Sequence, residues 1–358
     1  MLSKSPPEYK FFDDPLRFYD AMLKDIEKAR QYIYLETYRF NNDSIGIKFR
    51  DALTRKSREG VEIKILVDSW GTSLPAGFFG EMLKRGAEIR YFLKIKFFWD
   101  FFTKNHRRNH RKIMIIDDAI TYIGSANLTA YSLNWRESVL RIGSDIAPVF
   151  KKVFLQHFKI YNKYVFEKLI KMRKINHDGS EILRDVPSLT RQRIRKRYIE
   201  IIKSSNRHVV IETPYFLPSF FVRKALSDAA KRGVVITVIM PKHSDVGLID
   251  VLRTRFLGPL HKNGVRLLFY TPDNLHAKIL LADQEIFSLG SPNFDYRSFR
   301  FQHEIVLISR DQDAISQISE HIAETIKNSE EFDFELWQKR SNISKFIEWI
   351  LLPFRHLL

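Results

Sequence analysis

Two stretches of this chain decide its fold, NHRKIMIIDDAITYIGSANLT at 109–129 and LHAKILLADQEIFSLGSPNFD at 275–295. Both contain His, one residue, Lys, four residues, Asp, six residues, Gly-Ser, one residue and Asn. Every matching position keeps an offset of 166 residues. Chance similarity does not preserve this order of residue types at a constant offset, so the pattern indicates an internal duplication.

The duplication extends upstream of these stretches. Three further pairs of β-branched or aromatic runs follow in the same order: 32–40 with 209–216, 59–71 with 232–245, and 85–92 with 263–270. Such runs predict buried strands, and helical patterns alternate with them, including one at 149–175 and one at 313–329. We therefore predict an α/β fold of two homologous repeats, each a mixed β-sheet flanked by helices.

We place the limits of the two repeats at 1–176 and 177–358. The stretch HDGSEILRDVPSLTRQRIRKR at 177–197 combines Gly, Pro and a run of charges, which is typical of a boundary. The second repeat is expected to end in an amphipathic segment at 335–358.

The composition excludes several classes of protein. Apolar residues make up 44% of the 358 residues, which excludes a disordered or collagen-like chain. No apolar run approaches the ~20 residues of a membrane span, and the first residues lack the apolar core of a signal peptide. The chain has no Cys, so a disulfide framework, a thiolate metal site and a thiol nucleophile are excluded.

The charge balance predicts an anionic partner. Lys and Arg number 59 against 42 Asp and Glu, a formal charge of +17. Nucleic acid, an anionic membrane surface or a phosphorylated substrate would each match this charge, and a basic surface that serves only solubility is the alternative.

The repeated motif brings together groups that suit phosphate chemistry. Side chains two residues apart in a strand lie on the same face, so each half is expected to present an imidazole beside an ammonium. The Gly-Ser-x-Asn that follows adds a hydroxyl, an amide and backbone donors, which suit phosphate oxygens. A single His-x-Lys would carry no weight, because one His is usually structural; the duplication is what favours function.

This pattern resembles the phospholipase D superfamily with its doubled His-x-Lys-x4-Asp motif, and within it the bacterial cardiolipin synthases. Four segments carry the resemblance: NHRK (109–112), TPYFLP (213–218), LHAK (275–278) and NFDYRSF (293–299). The resemblance implies two phospholipase D-type repeats with the active site at the interface of the halves.

The resemblance also implies roles for the motif residues. His110 is expected to be the nucleophile that forms a phosphohistidine, and His276 the general acid and base. Lys112 and Lys278 would stabilise the phosphoryl charge. The residues themselves do not rank the two histidines.

Further residues near the motifs have expected roles, and some of these roles have alternatives. The resemblance assigns the orientation of the two histidines to Glu137 and Glu304, with a glutamate on a strand edge as the alternative. We expect Asp117 and Asp283 to be structural. Substrate phosphate is expected to contact Ser125, Asn127, Ser291 and Asn293. For the two asparagines a turn role is the alternative. Glu36 and Glu212 occupy matching strand positions and could simply pair with basic residues inside the fold.

No metal and no cofactor are expected. His106 and His110 stand four residues apart, but no carboxylate is interleaved and the second copy has no equivalent of His106. The motif supplies lysines where a metal site would supply ligands.

Membrane contact is expected at an aromatic loop rim and at the C-terminal segment. Residues 92–112 interleave aromatics with Lys and Arg, most densely at Phe97–Phe102, and Phe220 and Phe221 form a second aromatic pair. Residues 335–358 place apolar side chains at helical spacing. Buried aromatics and a core helix are the alternatives. Cardiolipin synthases often begin with two membrane-spanning helices and this chain has no such stretch, so we expect a cytoplasmic protein attached peripherally to the inner face of the cell membrane.

The function predicted from the sequence is phosphatidyl transfer between phospholipids, as in cardiolipin synthesis. The alternatives are hydrolysis of phospholipid to phosphatidic acid, a nuclease of the same fold, and a catalytically dead scaffold that binds nucleic acid or membrane. We favour an anionic phospholipid over nucleic acid as the partner because Phe, Trp and apolar residues cluster beside the charges. The acceptor alcohol and the oligomeric state are left open.

Overall fold

The computed structural model describes residues 7–93, 107–162 and 174–353 and has two compact units, Met1–Lys171 and Met172–Leu358. Each unit contains one mixed sheet with helices against it. The predicted α/β fold of two repeats is therefore confirmed. The limits at 176 and 177 stay a prediction.

The N-terminal unit has a seven-stranded sheet in the order β1-β7-β6-β5-β2-β3-β4. Its strands are β1 (Glu8–Phe12), β2 (Tyr32–Thr37), β3 (Glu62–Asp68), β4 (Glu88–Phe92), β5 (Ile113–Ile116), β6 (Ile120–Gly124) and β7 (Val139–Gly143). Strands β2, β3 and β4 are parallel, and β5, β6 and β7 form an antiparallel meander that joins β2. The helices are α1 (Pro15–Lys28), α2 (Ser44–Arg58), α3 (Gly80–Lys84) and α4 (Ala147–Lys159).

The C-terminal unit has a nine-stranded sheet in the order β16-β12-β11-β10-β13-β14-β15-β9-β8. Its strands are β8 (Ile175–His177), β9 (Ser180–Asp185), β10 (His208–Glu212), β11 (Val235–Pro241), β12 (Val265–Tyr270), β13 (Ile279–Ala282), β14 (Ile286–Gly290), β15 (Glu304–Ser309) and β16 (Ser329–Glu331). Its helices are α5 (Arg193–Ser204), α6 (Phe220–Lys231), α7 (Gly247–Lys262), α8 (Tyr296–Phe301), α9 (Gln312–Lys327), α10 (Phe334–Gln338) and α11 (Asn342–Leu351). Strands β10, β11 and β12 are parallel, followed by the meander of β13, β14 and β15.

The two units share the same six-stranded core, and matching residues make matching turns. In both units, the helix before the second parallel strand and the helix before the third each end near a glycine. These glycines have φ angles between 86° and 90°: Gly60, Gly86, Gly233 and Gly264. A residue with a side chain is strained in this conformation, so the glycine ends the helix and redirects the chain into the strand. These are the Gly-before-strand positions that reveal the duplication in the sequence.

Burial explains why the central strands read as continuous apolar runs. The parallel strands are covered on both faces, so nearly every side chain of β2 and β10 is buried. Helix α1 begins after Asp14, whose carboxylate accepts the Arg17 N–H, and Pro15 occupies its first turn. Its apolar face packs on the sheet through Phe18, Met22 and other buried side chains.

The boundary stretch 177–197 contains ordered structure. Asp178 and Gly179 form the turn of the β8–β9 hairpin with positive φ, and β9 pairs with β15. The charge run forms α5. The helix expected at 313–329 is α9, and the one at 149–175 is α4 as far as Lys159, with 163–173 outside the described residues. In the described parts of the chain, no helix has the length and apolar character needed to cross a membrane.

Candidate active site

The two His-x-Lys pairs lie just before a strand rather than in it. His110 and Lys112 precede β5, and His276 and Lys278 precede β13. Because β5 and β13 run antiparallel to β2 and β10, both pairs lie at the carboxyl ends of the parallel strands. Ligands of open α/β sheets bind at this edge.

Each lysine is anchored on the backbone of its own histidine. Lys112 Nζ donates a hydrogen bond to the His110 carbonyl oxygen at 2.8 Å, and Lys278 Nζ donates to the His276 carbonyl at the same distance. All four side chains are buried. The anchor fixes the ammonium relative to the imidazole, in the same way in both copies.

The first motif has an aromatic neighbour. The Tyr38 ring lies edge-on to the His110 imidazole, with 5.5 Å between centroids, and Lys112 Nζ lies 5.6 Å from the Tyr38 ring centroid. When Glu36 is matched with Glu212, the residue at the position of Tyr38 in the second repeat is a proline. Tyr38 was not predicted as a site residue because the tyrosine is not duplicated in the sequence.

The predicted orienting glutamates lie inside the fold and not on a strand edge. The Ser125 hydroxyl donates to Glu137 Oε2 and accepts the Ser138 N–H at 2.8 Å. The Ser291 hydroxyl donates to Glu304 Oε2 and accepts the Ile305 N–H at 3.0 Å. These side chains are fully buried.

These hydrogen bonds give the two serines a defined use. A buried carboxylate needs hydrogen-bond donors, and each hydroxyl supplies one while its own position is fixed by a backbone N–H. The geometry therefore supports a role in holding Glu137 and Glu304 in place. The predicted contact of Ser125 and Ser291 with substrate phosphate stays a prediction.

Asp117 and Asp283 each tie a strand to the start of another. Asp117 accepts three backbone N–H groups at 2.6–2.9 Å, from residues 30–32, and Asp283 accepts three at 2.8–2.9 Å, from 206–208. Burial alone would raise the pKa of Asp283, but the three donors outweigh it and lower that pKa below its ordinary value. Both aspartates have positive φ, of 51° and 56°. This geometry supports the structural role expected for them.

The two motif asparagines have different surroundings. Asn127 Oδ1 accepts the Arg39 N–H at 3.3 Å. Asn293 donates its backbone N–H to the Ser298 hydroxyl at 3.1 Å, and its buried Oδ1 has no hydrogen-bond partner among the described residues. Their contact with phosphate stays a prediction.

The matching strand glutamates each pair with a buried histidine. Glu36 Oε1 lies 2.5 Å from His157 Nδ1 of α4, and Glu212 Oε2 lies 2.8 Å from His321 Nε2 of α9. All four side chains are buried. Pairing with a basic residue inside the fold, which was the structural alternative, is what the structure has. The sequence signal for the histidines was a His in each closing helix, 164 residues apart.

One buried ion pair near the motif has no counterpart in the second repeat. Asp68, at the end of β3, accepts Arg108 Nη2 at 2.6 Å and Nε at 3.0 Å through Oδ1, and the Asn109 N–H at 2.8 Å through Oδ2. Both charged side chains are completely buried. At the matching places the second repeat has Pro241, which ends β11, and Asn274. The pair holds the chain that leads into His110.

The predicted membrane segments are only partly described. Phe220 and Phe221 are exposed at the start of α6, whereas Phe97–Phe102 and His106 fall outside the described residues. Helix α11 is not a core helix, because Glu348 is its only buried residue and Ile343 and Trp349 are 73% and 62% exposed.

Comparison with known proteins agrees with this geometry. A family model described as the phospholipase D-like domain of cardiolipin synthase matches residues 22–160 and 198–326. Cardiolipin synthases of Listeria welshimeri and Clostridium perfringens are each 30% identical over 354 residues, which cover 95% and 94% of this chain and 73% and 74% of those proteins.

Among solved structures, the phosphatidylserine synthase of Haemophilus influenzae has the same fold, with a TM-score of 0.75 at 12% identity, over 98% of this chain and 93% of that one. The family model covers well over half of the chain and includes both motifs. The chain therefore belongs to the cardiolipin synthase family of phospholipase D-like proteins.

Proposed function

We propose that this protein transfers a phosphatidyl group between phospholipids through a phosphohistidine intermediate. The observation that carries the proposal is the repeated arrangement: each unit presents a buried histidine, a lysine anchored on that histidine's carbonyl, and a buried glutamate held by a serine. One such set could be structural. Two such sets supply both the nucleophile and the general acid and base that a double displacement needs.

The proposed reaction has two steps on one phosphorus atom. In the first, a nitrogen of neutral His110 attacks phosphorus, the bond to the leaving alcohol oxygen breaks, and protonated His276 gives that oxygen its proton. In the second, neutral His276 removes the proton of the acceptor hydroxyl, whose oxygen attacks phosphorus and breaks the P–N bond. Both histidines are then in their starting states.

The lysines supply the electrostatic part of this chemistry. The charge on the phosphoryl oxygens grows in the transition state, and fixed cations in a site shielded from water stabilise it more than mobile ones. The carbonyl anchors of Lys112 and Lys278 keep the ammoniums in place without reorganisation during the reaction. Glu137 and Glu304 are proposed to orient the imidazoles, as a carboxylate does in other histidine-dependent enzymes.

The proposed site of action is the surface of an anionic membrane. The net charge of +17 attracts such a surface, and the exposed apolar side chains of α11 can enter the headgroup region. These exposed residues are what favour lipid over nucleic acid. The placement at the inner face of the cell membrane stays a prediction.

Substitution of α11 tests the membrane contact. Phe346→Asp and Trp349→Asp are expected to reduce sedimentation with phosphatidylglycerol vesicles while hydrolysis of a soluble diester is retained. Leu189→Asp is the matched control, because Leu189 is as exposed as Trp349 but lies in a loop before α5. Unchanged vesicle binding in both α11 variants would contradict the proposal.

Analysis of lipid products tests the function. Incubation with phosphatidylglycerol vesicles is expected to produce cardiolipin and glycerol, detected by mass spectrometry; phosphatidic acid as the only product would instead identify a hydrolase. His110→Ala and His276→Ala should each retain less than about a tenth of the activity, since acid–base catalysis alone contributes about 10²–10⁴-fold. His261→Ala, an exposed histidine, is the control. Cleavage of DNA without any lipid product would move the assignment to the nuclease.

A further inference from the structure

A cavity of about 740 Å³ lies in the C-terminal unit, between helix α7 and the segment 330–340. Its size falls within the roughly 300–1,000 Å³ of pockets that hold small ligands. Its lining contains none of the described motif residues. It is therefore separate from the chemistry proposed above.

One wall of the cavity is built by a close approach of two elements. A Cβ atom at Gly258, inside α7, would lie 2.2 Å from the ring of Trp337, so only glycine allows the indole to pack there. Trp337 Nε1 donates a hydrogen bond to the Thr254 carbonyl at 2.7 Å. Glycine is unfavourable inside a helix, and here it permits a fixed aromatic wall.

Arg253, on the same helix, supplies a cation to this cavity. Its side chain is 3% exposed, its Nη2 donates to the Lys242 carbonyl at 2.8 Å, and Asp250 lies 3.1 Å away. Burial lowers the pKa of Arg253 to about 10, and Asp250 partly opposes this, so the guanidinium remains charged at neutral pH. Its Nη1 has no hydrogen-bond partner within the described residues. A buried charged donor without a partner is costly, and an anion beside the guanidinium would offset part of that cost.

The acidic residues around the cavity already have partners. Lys242 Nζ lies 2.6 Å from Glu330, Arg266 pairs with Glu331, and Asp333 accepts the Leu336 N–H at the start of α10. The lining also contains apolar side chains, and Phe332, Leu336 and Trp337 contribute these from the segment 330–340.

We propose that this cavity binds an amphiphilic anion, with a phosphate group beside the Arg253 guanidinium and an apolar portion against Phe332, Leu336 and Trp337. Arg is suited to phosphate because its planar fork presents several donors. Such a phosphate occurs in the headgroup of a phospholipid and as the free ion, and the apolar wall favours the lipid.

Val251→Asp is the first test variant. Val251 lines the cavity and is 37% exposed, so the substitution adds a negative charge without removing a core residue or the Arg253–Asp250 pair. Leu248→Asp is the matched control, since Leu248 is 50% exposed on the same helix and does not line the cavity. Arg253→Met is the second variant, which removes the donor itself.

The probe is dihexanoyl-phosphatidylglycerol below its micelle concentration, titrated into the full chain by calorimetry. Val251→Asp and Arg253→Met are expected to weaken one binding step at least about tenfold, as a like charge or a lost cation at short range would. Leu248→Asp should bind like the unsubstituted protein, and all three should still hydrolyse a soluble diester. Lipid that binds at the two His-x-Lys motifs contributes equally in the three variants and in the unsubstituted protein, so it does not affect the comparison.

Two further titrations identify the source of the anion. Inorganic phosphate that binds as tightly as the lipid and is lost in the same variants identifies a free-anion site; much tighter binding of the lipid identifies a headgroup site. The headgroup result supports the proposal, whereas the free-anion result leaves the apolar wall without a ligand and overturns the amphiphilic part of it. Binding that is unchanged in both Val251→Asp and Arg253→Met, or an uncharged hexyl detergent that binds as tightly as the lipid, would overturn it.

Discussion

Replacing Asp68 with Asn is expected to destabilise the N-terminal unit and slow the reaction at the same time. Asp68 is the only partner given by the structure for the Asn109 N–H within the described residues, and it neutralises the buried Arg108. The substitution removes the carboxylate charge that pairs with the buried Arg108 guanidinium. The carboxamide can keep one acceptor oxygen, but it places an NH₂ group against the guanidinium donors.

The magnitude follows from the burial of the pair. Removal of one partner of a buried ion pair costs about 3–5 kcal/mol, and the retained oxygen places Asp68→Asn near the lower end, at about 3 kcal/mol. That change lowers the ratio of folded to unfolded protein by roughly 100-fold. His110 is two residues from Arg108, and a shift of ~1 Å in a catalytic group can cost ~10²-fold in rate.

Urea unfolding and turnover of a soluble diester measure the two effects. Asp25→Asn is the matched control, because Asp25 is also buried, pairs with Arg141 at 2.7 Å and accepts the Tyr122 hydroxyl, none of which belongs to the motif. The control should lose comparable stability and keep its turnover per folded molecule. A loss below ~1 kcal/mol in Asp68→Asn, or equal turnover losses in the two variants, would refute the reasoning.

Three further predictions concern pH and metals. The rate should show a bell-shaped dependence on pH, because one of His110 and His276 must be neutral while the other is protonated; a rate that rises steadily from about pH 5 to 9 would contradict this. Activity on a soluble diester should survive EDTA, since Lys112 and Lys278 supply the cationic charge, and a strict metal requirement would count against that role. Burial raises the pKa of Asp295 from 3.8 to about 6, so the folded state holds this proton more tightly than the unfolded chain and stability should fall as pH rises from about 4 to 6. Asp295→Asn should flatten that part of the curve in urea unfolding at stepped pH.

The fold could be predicted because its signals are repeated. Each strand and each glycine before a strand occurs twice in the same order, so a weak local pattern in one half is supported by the other. The placement of His and Lys in a strand was less accurate. The alternation rule requires only an extended backbone, and β5 begins one residue after Lys112.

The partners of the site residues were harder to predict. The link between Ser125 and Glu137 joins two segments that meet only when β6 and β7 pair, so spacing along the chain gives no sign of it. The Glu36–His157 pair likewise depends on how α4 packs on the sheet. Such contacts are decided by tertiary geometry. A residue type that occurs in both repeats indicates a common role, but it does not identify the residue that it contacts.

The two repeats support the same motif by different means, and the difference lies in how the chain before each histidine is held. In the first repeat an ion pair between Asp68 and Arg108 fixes the approach to His110. In the second, Pro241 and Asn274 occupy those places, and a proline can neither donate a hydrogen bond nor neutralise a cation. Because Asp68 neutralises Arg108, the pair adds no net charge beside His110, and its contribution is to fix the backbone that leads into the imidazole. The asymmetry is therefore one of positioning, and the ranking of His110 as nucleophile and His276 as acid stays a proposal.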